Sequence, residues 1–214
     1  MRFSDREQAA TRLASQLAGY RGQNPLILAI PRGAVPMADV IAEALEGELD
    51  VVLVRKLGAP FQPELAIGAI DESGWTYISE VARLAGASAD YIEREKETQL
   101  ELLRQRRQRY TGIAPSADPA GRVVIVVDDG LATGATMITA LRAIRMKHPK
   151  KLVCAVPVAP PDTLEQVSAY ADEMVCLEAP LNFGAVGQFY EHFPQVSDEE
   201  VIEILENRGP RKDG

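Results

Sequence analysis

The stretch that most constrains the fold is Val123–Met137, in which five apolar residues are followed by two acids, a Gly- and Thr-rich loop, and the start of an amphipathic helix. The apolar run holds four Val and one Ile, which predicts a strand buried on both faces, as in a parallel sheet. Open α/β sheets bind ligands beyond the carboxyl ends of their strands. Asp128 and Asp129 therefore lie where a binding site is expected.

The loop after the two acids has the features that a phosphate requires. A helix that begins near Thr136 offers unpaired N–H groups and the positive end of its dipole. Gly130 and Gly134 let the backbone approach closely, and Thr133 adds a hydroxyl donor. Adjacent carboxylates would repel a phosphate alone but would accept hydrogen bonds from a sugar diol, so the expected ligand is a ribose 5-phosphate. The alternative is an ordinary strand-to-helix turn with incidental acids, which the length of the pattern disfavours.

Strand and helix patterns alternate along the rest of the chain. Strands are predicted at residues 25–30, 49–54, 66–70, 75–78, 152–158 and 174–177, and helices begin near Ser4, Met37, Asp90, Thr136, Asp162 and Ser197. Ser4 with Glu7, and Ser197 with Glu200, form capping boxes. Gly58, Pro60 and Pro63 predict an irregular loop over residues 57–65. The alternation predicts an open, mainly parallel sheet flanked by helices.

Composition excludes several classes of function. The 214 residues suffice for one domain with a substantial core. A net charge of −8 argues against nucleic acid and anionic membranes as partners, and the Arg-rich stretch 104–109 is expected to be a solvated helix face. No apolar run is long enough to span a membrane, so a cytoplasmic location is expected. The two cysteines and two histidines lack the spacing of a zinc site.

Val123–Met137 resembles the phosphoribosyl pyrophosphate (PRPP) signature of type I phosphoribosyltransferases, an apolar strand with two acids and a loop ending in Thr-Gly-x-Thr. The resemblance spans a core of about residues 22–178. Four further segments narrow it to a bacterial group of phosphoribosyltransferases whose acceptor is unknown, namely residues 31–33, 54–60, 63–69 and 185–190. It implies one phosphoribosyltransferase domain over residues 1–214. A small hood is then expected from residues 1–20 and 179–207, followed by a flexible tail at 208–214.

The resemblance also assigns roles to individual residues. Asp128 and Asp129 would hold the ribose hydroxyls, and Arg32 and Gly33, in a turn after the first strand, would hold the pyrophosphate. The 5-phosphate would be bound by Gly130, Leu131, Ala132, Thr133, Gly134, Ala135 and Thr136. Mg²⁺ would bridge pyrophosphate and ribose oxygens and act as a Lewis acid on the leaving group.

Two further regions are candidates for catalysis and for acceptor binding. Arg55 and Lys56, expected at a strand end before a mobile loop, would neutralise charge on the leaving group, and Glu64 in that loop is a candidate general acid or base. The alternative is a surface cation pair beside a flexible connection. Phe183, Phe189 and Tyr190 could stack on the acceptor, although packing of a C-terminal extension explains these aromatics equally well.

The leading hypothesis is Mg²⁺-dependent transfer of a 5-phosphoribosyl group from PRPP to a small, nucleobase-like nitrogenous acceptor, with inversion and release of pyrophosphate. Ala132 stands where hypoxanthine-guanine enzymes carry an Asp, which disfavours those acceptors. One alternative is a regulatory protein that senses PRPP or a nucleotide without turnover. Another is an unrelated sugar-phosphate enzyme. Relatives are commonly dimers, so a homodimer is expected.

Overall fold

The computed structural model describes residues 2–112 and 116–208. Its strands are β1 (Leu26–Ala29), β2 (Glu48–Val51), β3 (Val54–Ala59), β4 (Gln62–Asp71), β5 (Thr76–Ile78), β6 (Val123–Val127), β7 (Lys151–Val158) and β8 (Glu173–Glu178). Five of them form a sheet in the order β2-β1-β6-β7-β8, in which all neighbours are parallel. The other three form an antiparallel sheet in the order β3-β4-β5.

Helices lie on both faces of the parallel sheet. They are α1 (Arg6–Gln16), α2 (Val35–Leu45), α3 (Val81–Leu84), α4 (Ala89–Thr111), α5 (Ala135–Arg145), α6 (Pro161–Ser168) and α7 (Asp198–Arg208), with 3₁₀ turns at Ala18–Tyr20 and Val186–Phe189. Buried residues of α1 and α2 pack on one face, and those of α5 and α6 pack on the other. The predicted open parallel sheet flanked by helices is confirmed.

Strand β6 shows why the sheet is covered on both sides. Val123, Ile125 and Val127 enter the core on the α1 and α2 side, whereas Val124 and Val126 enter the core on the α5 and α6 side. All five residues are at least 96% buried, which agrees with their unbroken apolar sequence. The strand therefore delivers Asp128 and Asp129 to the edge of a rigid, fully packed layer.

The region around Arg55 and Lys56 was wrongly predicted. The parallel strand ends at Val51, and both cations lie inside β3, in a separate sheet. The predicted loop 57–65 is mostly a β-hairpin whose ladder is irregular on both sides of Gly58. A Cβ at Gly58 would lie 2.8 Å from the carbonyl oxygen of Pro63, so these residues build a close, irregular strand pair rather than a loop.

Two other local expectations need correction. The first helix is capped by Asp5, whose side chain accepts from the Gln8 N–H at 2.8 Å, and not by Ser4 with Glu7. The Arg-rich stretch is not wholly solvated, because the Arg107 side chain is 12% exposed and pairs with Asp50 and Glu72. The second capping box is confirmed, since Ser197 N–H donates to Glu200 and Glu200 N–H donates to the Ser197 hydroxyl.

Residues 2–6 meet residues 183–194 over the carboxyl edge of the parallel sheet. Phe3 N–H donates to the Phe189 carbonyl at 2.7 Å, and Glu191 N–H donates to the Phe3 carbonyl at 2.8 Å. The rings of Phe3 and Tyr190 lie 5.5 Å apart. Residues 2–6 together with residues 183–194 therefore form one structural unit, to which we restrict the name hood from here on; it covers only part of the expected ranges 1–20 and 179–207. Of the predicted tail, residues 209–214 lie outside the described residues.

Candidate active site

The acid pair and the following loop lie at the carboxyl end of β6. The Asp129 N–H donates to Asp128 Oδ1 at 2.9 Å, and the Leu131 N–H donates to the Val158 carbonyl at 2.9 Å. The Thr163 hydroxyl donates to the Ala132 carbonyl at 2.9 Å, which ties the loop to α6. The loop that follows β6 is thus held in place by hydrogen bonds to the residues at the end of β7 and in α6.

The loop presents its polar groups to solvent. Ala132, Thr133, Ala135 and Thr136 are exposed, whereas Leu131 is 2% exposed and contributes its side chain to the core. Gly134 caps α5 with a φ of +71°, and a Cβ there would lie 2.7 Å from the Val167 side chain. The amino end of an eleven-residue helix therefore opens onto an accessible, hydroxyl-bearing loop, which suits an anion.

Among the described residues, the two carboxylates share one paired cation, and burial opposes their ionisation. Burial, and then the charge of Asp129, raise the pKa of Asp128 well above its usual value. Burial also raises the pKa of Asp129, although its ion pair with Arg6 opposes this shift. Arg6 is the one basic side chain paired with either carboxylate among the described residues. The site is therefore electrostatically unsatisfied and favours a ligand that donates hydrogen bonds.

Arg6 belongs to this site, and the sequence analysis missed it. Its Nε and Nη2 donate to Asp129 Oδ2 at 3.1 and 2.9 Å, and its Nη1 donates to the Pro194 carbonyl at 2.6 Å. The guanidinium lies 3.8 Å from the centre of the Phe193 ring. One signal was available in the sequence, because a cation in the first turn of a helix opposes the helix dipole and so calls for another role.

Arg32 and Gly33 lie between β1 and α2, directly beside Asp129. The Pro31–Arg32 peptide is cis, and the Arg32 side chain is exposed. A Cβ at Gly33 would overlap Asp129 Oδ2 and lie 3.2 Å from Arg6 Nη2. The structure thus brings this turn against the Arg6–Asp129 pair, and only a residue without a side chain fits there.

Arg55 and Lys56 lie on β3 of the antiparallel sheet and not at the end of a parallel strand. Arg55 Nε donates to Gln99 on α4, and Lys56 is exposed. Glu64 is part of β4, but its side chain lies outside the described residues. The hairpin turn that follows β3 exposes the whole side chain of Phe61.

The three aromatics predicted for acceptor binding occupy different environments. The Phe183 and Phe189 rings stack at 5.1 Å and are both half-buried. Tyr190 is 4% exposed, lies 4.7 Å from the Phe193 ring, and donates its hydroxyl to the Asp129 carbonyl at 2.7 Å. Its ring is therefore packed inside the hood, and its hydroxyl supports the backbone of the acid pair.

Neither a metal-ligating cluster nor a membrane-spanning helix is found among the described residues. They include no group of three or more His, Cys, Asp or Glu side chains that could hold a metal ion. None of their helices combines the length and the apolar character that a membrane span requires.

The fold is that of the type I phosphoribosyltransferase class. The chain belongs to the phosphoribosyl transferase domain family, whose sequence model matches residues 3–193. A crystal structure of TT1426 from Thermus thermophilus is similar with a TM-score of 0.87 and 46% identity, covering 97% of this chain and 99% of that chain. The resemblance seen in the sequence is confirmed.

Two Mycobacterium tuberculosis proteins, each named "Putative phosphoribosyl transferase", are 44% identical to this chain over 208 residues. The alignment covers 95% of this chain but 46% of each of those proteins. The chain thus spans about half the length of these relatives.

Proposed function

We propose that this protein transfers the 5-phosphoribosyl group of PRPP to a small nitrogenous acceptor and releases pyrophosphate. The observation that carries the proposal is the partly buried acid pair, with Arg6 as its one paired cation among the described residues, set beside an exposed loop at the amino end of α5 in a phosphoribosyl transferase domain. A sugar diol next to a phosphate matches both halves of this arrangement.

The proposed binding mode follows the accessible groups. Ribose hydroxyls donate to Asp128 and Asp129, and the 5-phosphate accepts from the backbone and hydroxyls of residues 130–136. Arg32 is the exposed cation on the turn that contacts Asp129 and would bind the pyrophosphate. Arg55 and Lys56 lie on the hairpin sheet and would neutralise negative charge on the pyrophosphate.

In the proposed reaction, a nitrogen lone pair of the acceptor forms a bond to C1 of the ribose from the face opposite the pyrophosphate. The C1–oxygen bond breaks, its electron pair leaves on the pyrophosphate, and the acceptor nitrogen gives up a proton. Glu64 stays the candidate for that proton. Phe183 and Phe189 are the hood aromatics with partly open faces, and one of them would stack on the acceptor.

Mg²⁺ fits this site as an ion that arrives with the substrate. The described residues offer no cage of three ligands, and Mg²⁺ commonly retains waters and binds substrate phosphates. When bound, it would neutralise negative charge on the departing pyrophosphate.

The test is to incubate the pure protein with Mg²⁺ and PRPP against a panel of purines, pyrimidines and other nitrogen heterocycles, following pyrophosphate and nucleotide by chromatography. Turnover is expected with at least one acceptor, with a large loss in Asp129→Asn and none in Glu165→Gln, an exposed acid on α6. PRPP binding without turnover across the panel would favour a PRPP sensor. A protein that does not bind PRPP would contradict the proposal.

A further inference from the structure

Arg6 joins two regions that are far apart in sequence. Its guanidinium binds Asp129, 123 residues away, and the Pro194 carbonyl, 188 residues away. It also lies over the Phe193 ring, 3.8 Å from the ring centroid, and only 11% of its side chain is exposed. Each of the three guanidinium nitrogens therefore has an acceptor, which fixes Arg6 in one place between the hood and the acid pair.

The geometry of the ion pair leaves one carboxylate oxygen out of it. Both Arg6 contacts to Asp129 go to Oδ2, so Oδ1 takes no part in the pair. Tyr190 holds the Asp129 backbone carbonyl, and Gly33 closes the space beside Oδ2. Asp129 is thus held from three sides, with its backbone and Oδ2 both committed to protein partners.

The charges around Asp129 require a counter-ion. Asp128 is adjacent, Tyr190 and Cys154 are the other titratable groups facing the pair, and the latter two carry no positive charge. Burial and neighbouring carboxylates raise the pKa values of Tyr190 and Cys154, so both are neutral. Arg6 is therefore the group that offsets the repulsion between the two acids.

On the basis of the proposed function, we propose that Arg6 is a positioning residue for PRPP binding, which holds Asp129 aimed at the ribose and couples its orientation to the hood. In the opposite role, Arg6 would inhibit PRPP binding, because it would occupy the Asp129 carboxylate that the ribose hydroxyls need. The contacts of the guanidinium with the Pro194 carbonyl at 2.6 Å and with the Phe193 ring at 3.8 Å favour positioning, since departure of Arg6 from Asp129 would give up both.

The two roles predict opposite changes in PRPP affinity when Arg6 is replaced. MgPRPP is titrated by calorimetry into wild type, Arg6→Gln, Arg6→Lys and the control Arg21→Gln, which breaks an exposed Arg–Glu pair. Positioning predicts that Arg6→Gln weakens PRPP binding about 10- to 100-fold, since a hydrogen bond to a charged group contributes about 1.5–3 kcal/mol. Arg6→Lys should restore part of the loss, and Arg21→Gln should bind like wild type.

Two further readouts separate positioning from general damage to the fold. Without Arg6 the acids hold a proton more tightly. The fall of PRPP affinity at low pH, which is the acidic limb of its pH profile, should therefore move to higher pH in Arg6→Gln. In an Asp129→Asn background, Arg6→Gln should have little further effect, because Arg6 acts through Asp129. If Arg6→Gln does not fold, the Arg6→Lys and double-variant titrations carry the same test.

Each outcome is decisive. Tighter or unchanged PRPP binding in a folded Arg6→Gln protein, or an acidic limb that stays in place, would overturn the positioning role while leaving the proposed function intact. A wild-type protein that binds no MgPRPP at any pH would overturn the proposed function and this role together.

Discussion

Arg6 and Arg107 bury their side chains to the same extent, with 11% and 12% exposed, and each binds carboxylates from distant parts of the chain. Around Arg107 every carboxylate oxygen has a donor. Glu72 accepts from Nε and Nη2 of Arg107, Asp50 Oδ1 accepts from Nη1 and from the Val51 N–H, and Asp50 Oδ2 accepts from the Ala117 N–H. This cluster joins β2, the β4–β5 turn and α4.

By comparison, the acid pair beside Arg6 is unsaturated, because its carboxylate oxygens have fewer hydrogen-bond donors within residues 2–112 and 116–208 than they can accept. Among the described residues, Arg6 donates to Asp129 Oδ2 alone and Asp128 Oδ1 accepts from the Asp129 N–H. The pKa values of both acids are raised by burial and, for Asp128, by its neighbour's charge. A saturated cluster keeps the fold together and has no capacity for a ligand. An unsaturated one costs stability and can be completed by a substrate that donates hydrogen bonds.

The largest expected effect tests the structural side of this contrast. Arg107→Met should lower the free energy of unfolding by about 3–5 kcal/mol, because it leaves the buried Asp50 and the partly buried Glu72 without their cation. Urea denaturation measures the loss, and Arg104→Met, an exposed change on the same helix, should stay within about 0.5 kcal/mol of wild type. The fraction that remains folded should bind PRPP as wild type does. A decrease in the free energy of unfolding of less than about 1 kcal/mol would contradict the contrast between the Arg107 cluster and the acid pair.

The second effect concerns the contact between Gly33 and the Arg6–Asp129 pair. Gly33→Ala should weaken MgPRPP binding about tenfold or more, because the new methyl displaces a carboxylate that has no room to move, and overpacking costs about 1–3 kcal/mol. Gly19→Ala is the matched control, since its Cβ would meet nothing within 4 Å. Equal affinities for the two variants would show that the orientation of Asp129 does not matter.

The third effect sharpens the role of the hood. Tyr190→Phe keeps the ring among Phe3 and Phe193 but removes the donor to the Asp129 carbonyl, which should cost about 1 kcal/mol of stability and a few-fold of PRPP affinity. Tyr20→Phe, which removes a hydroxyl bonded to Glu173, should leave the affinity unchanged. A Tyr190→Phe protein with full affinity would uncouple the hood from the acid pair.

The smallest effect tests the cost of the unsaturated pair. A raised pKa of Asp128 means that the folded state binds this proton more tightly than the unfolded chain, so stability is lost as pH rises from the unfolded value, about 4, through the folded one. Asp128→Asn removes this loss and should stabilise the protein by about 0.5–1 kcal/mol at high pH.

Below about pH 4 the curves of Asp128→Asn and wild type should converge, because the acid is then protonated in both states. Unfolding curves at several pH values measure this difference, with Glu165→Gln as the control. An Asp128→Asn protein less stable than wild type at every pH would show that Asp128 is structurally satisfied.

The sequence predicted those parts of the fold whose signals are local. The unbroken apolar run of β6 and the capping box at Ser197 depend on neighbouring residues, and both are found. The β3–β4 hairpin was missed because Gly58 and Pro63 ordinarily end regular structure, whereas here the ladder skips around them. Its strand pairing is visible only once the two segments are placed together.

The candidate site divides in the same way between local and distant signals. Asp128, Asp129 and the loop to Thr136 are contiguous, so their pattern could be read directly. Arg6 and Arg107 act through partners 123 and 57 residues away, and no periodicity encodes such a pairing. Arg6 gave one local signal, as a cation in the first turn of a helix, whereas nothing in the charged sequence of α4 indicates that Arg107 will be buried.

The joining of residues 2–6 to residues 183–194 has a consequence for the order in which the protein can assemble. During synthesis the acids at 128 and 129 emerge long before Pro194 and Tyr190, the residues that bind Arg6 and the Asp129 backbone. Contacts of such high sequence separation form late and slow folding. A nascent chain can thus complete its parallel sheet while the acid pair still lacks the hood, and the Arg6 and Tyr190 contacts to Asp129 are complete only after residues 183–194 have been made.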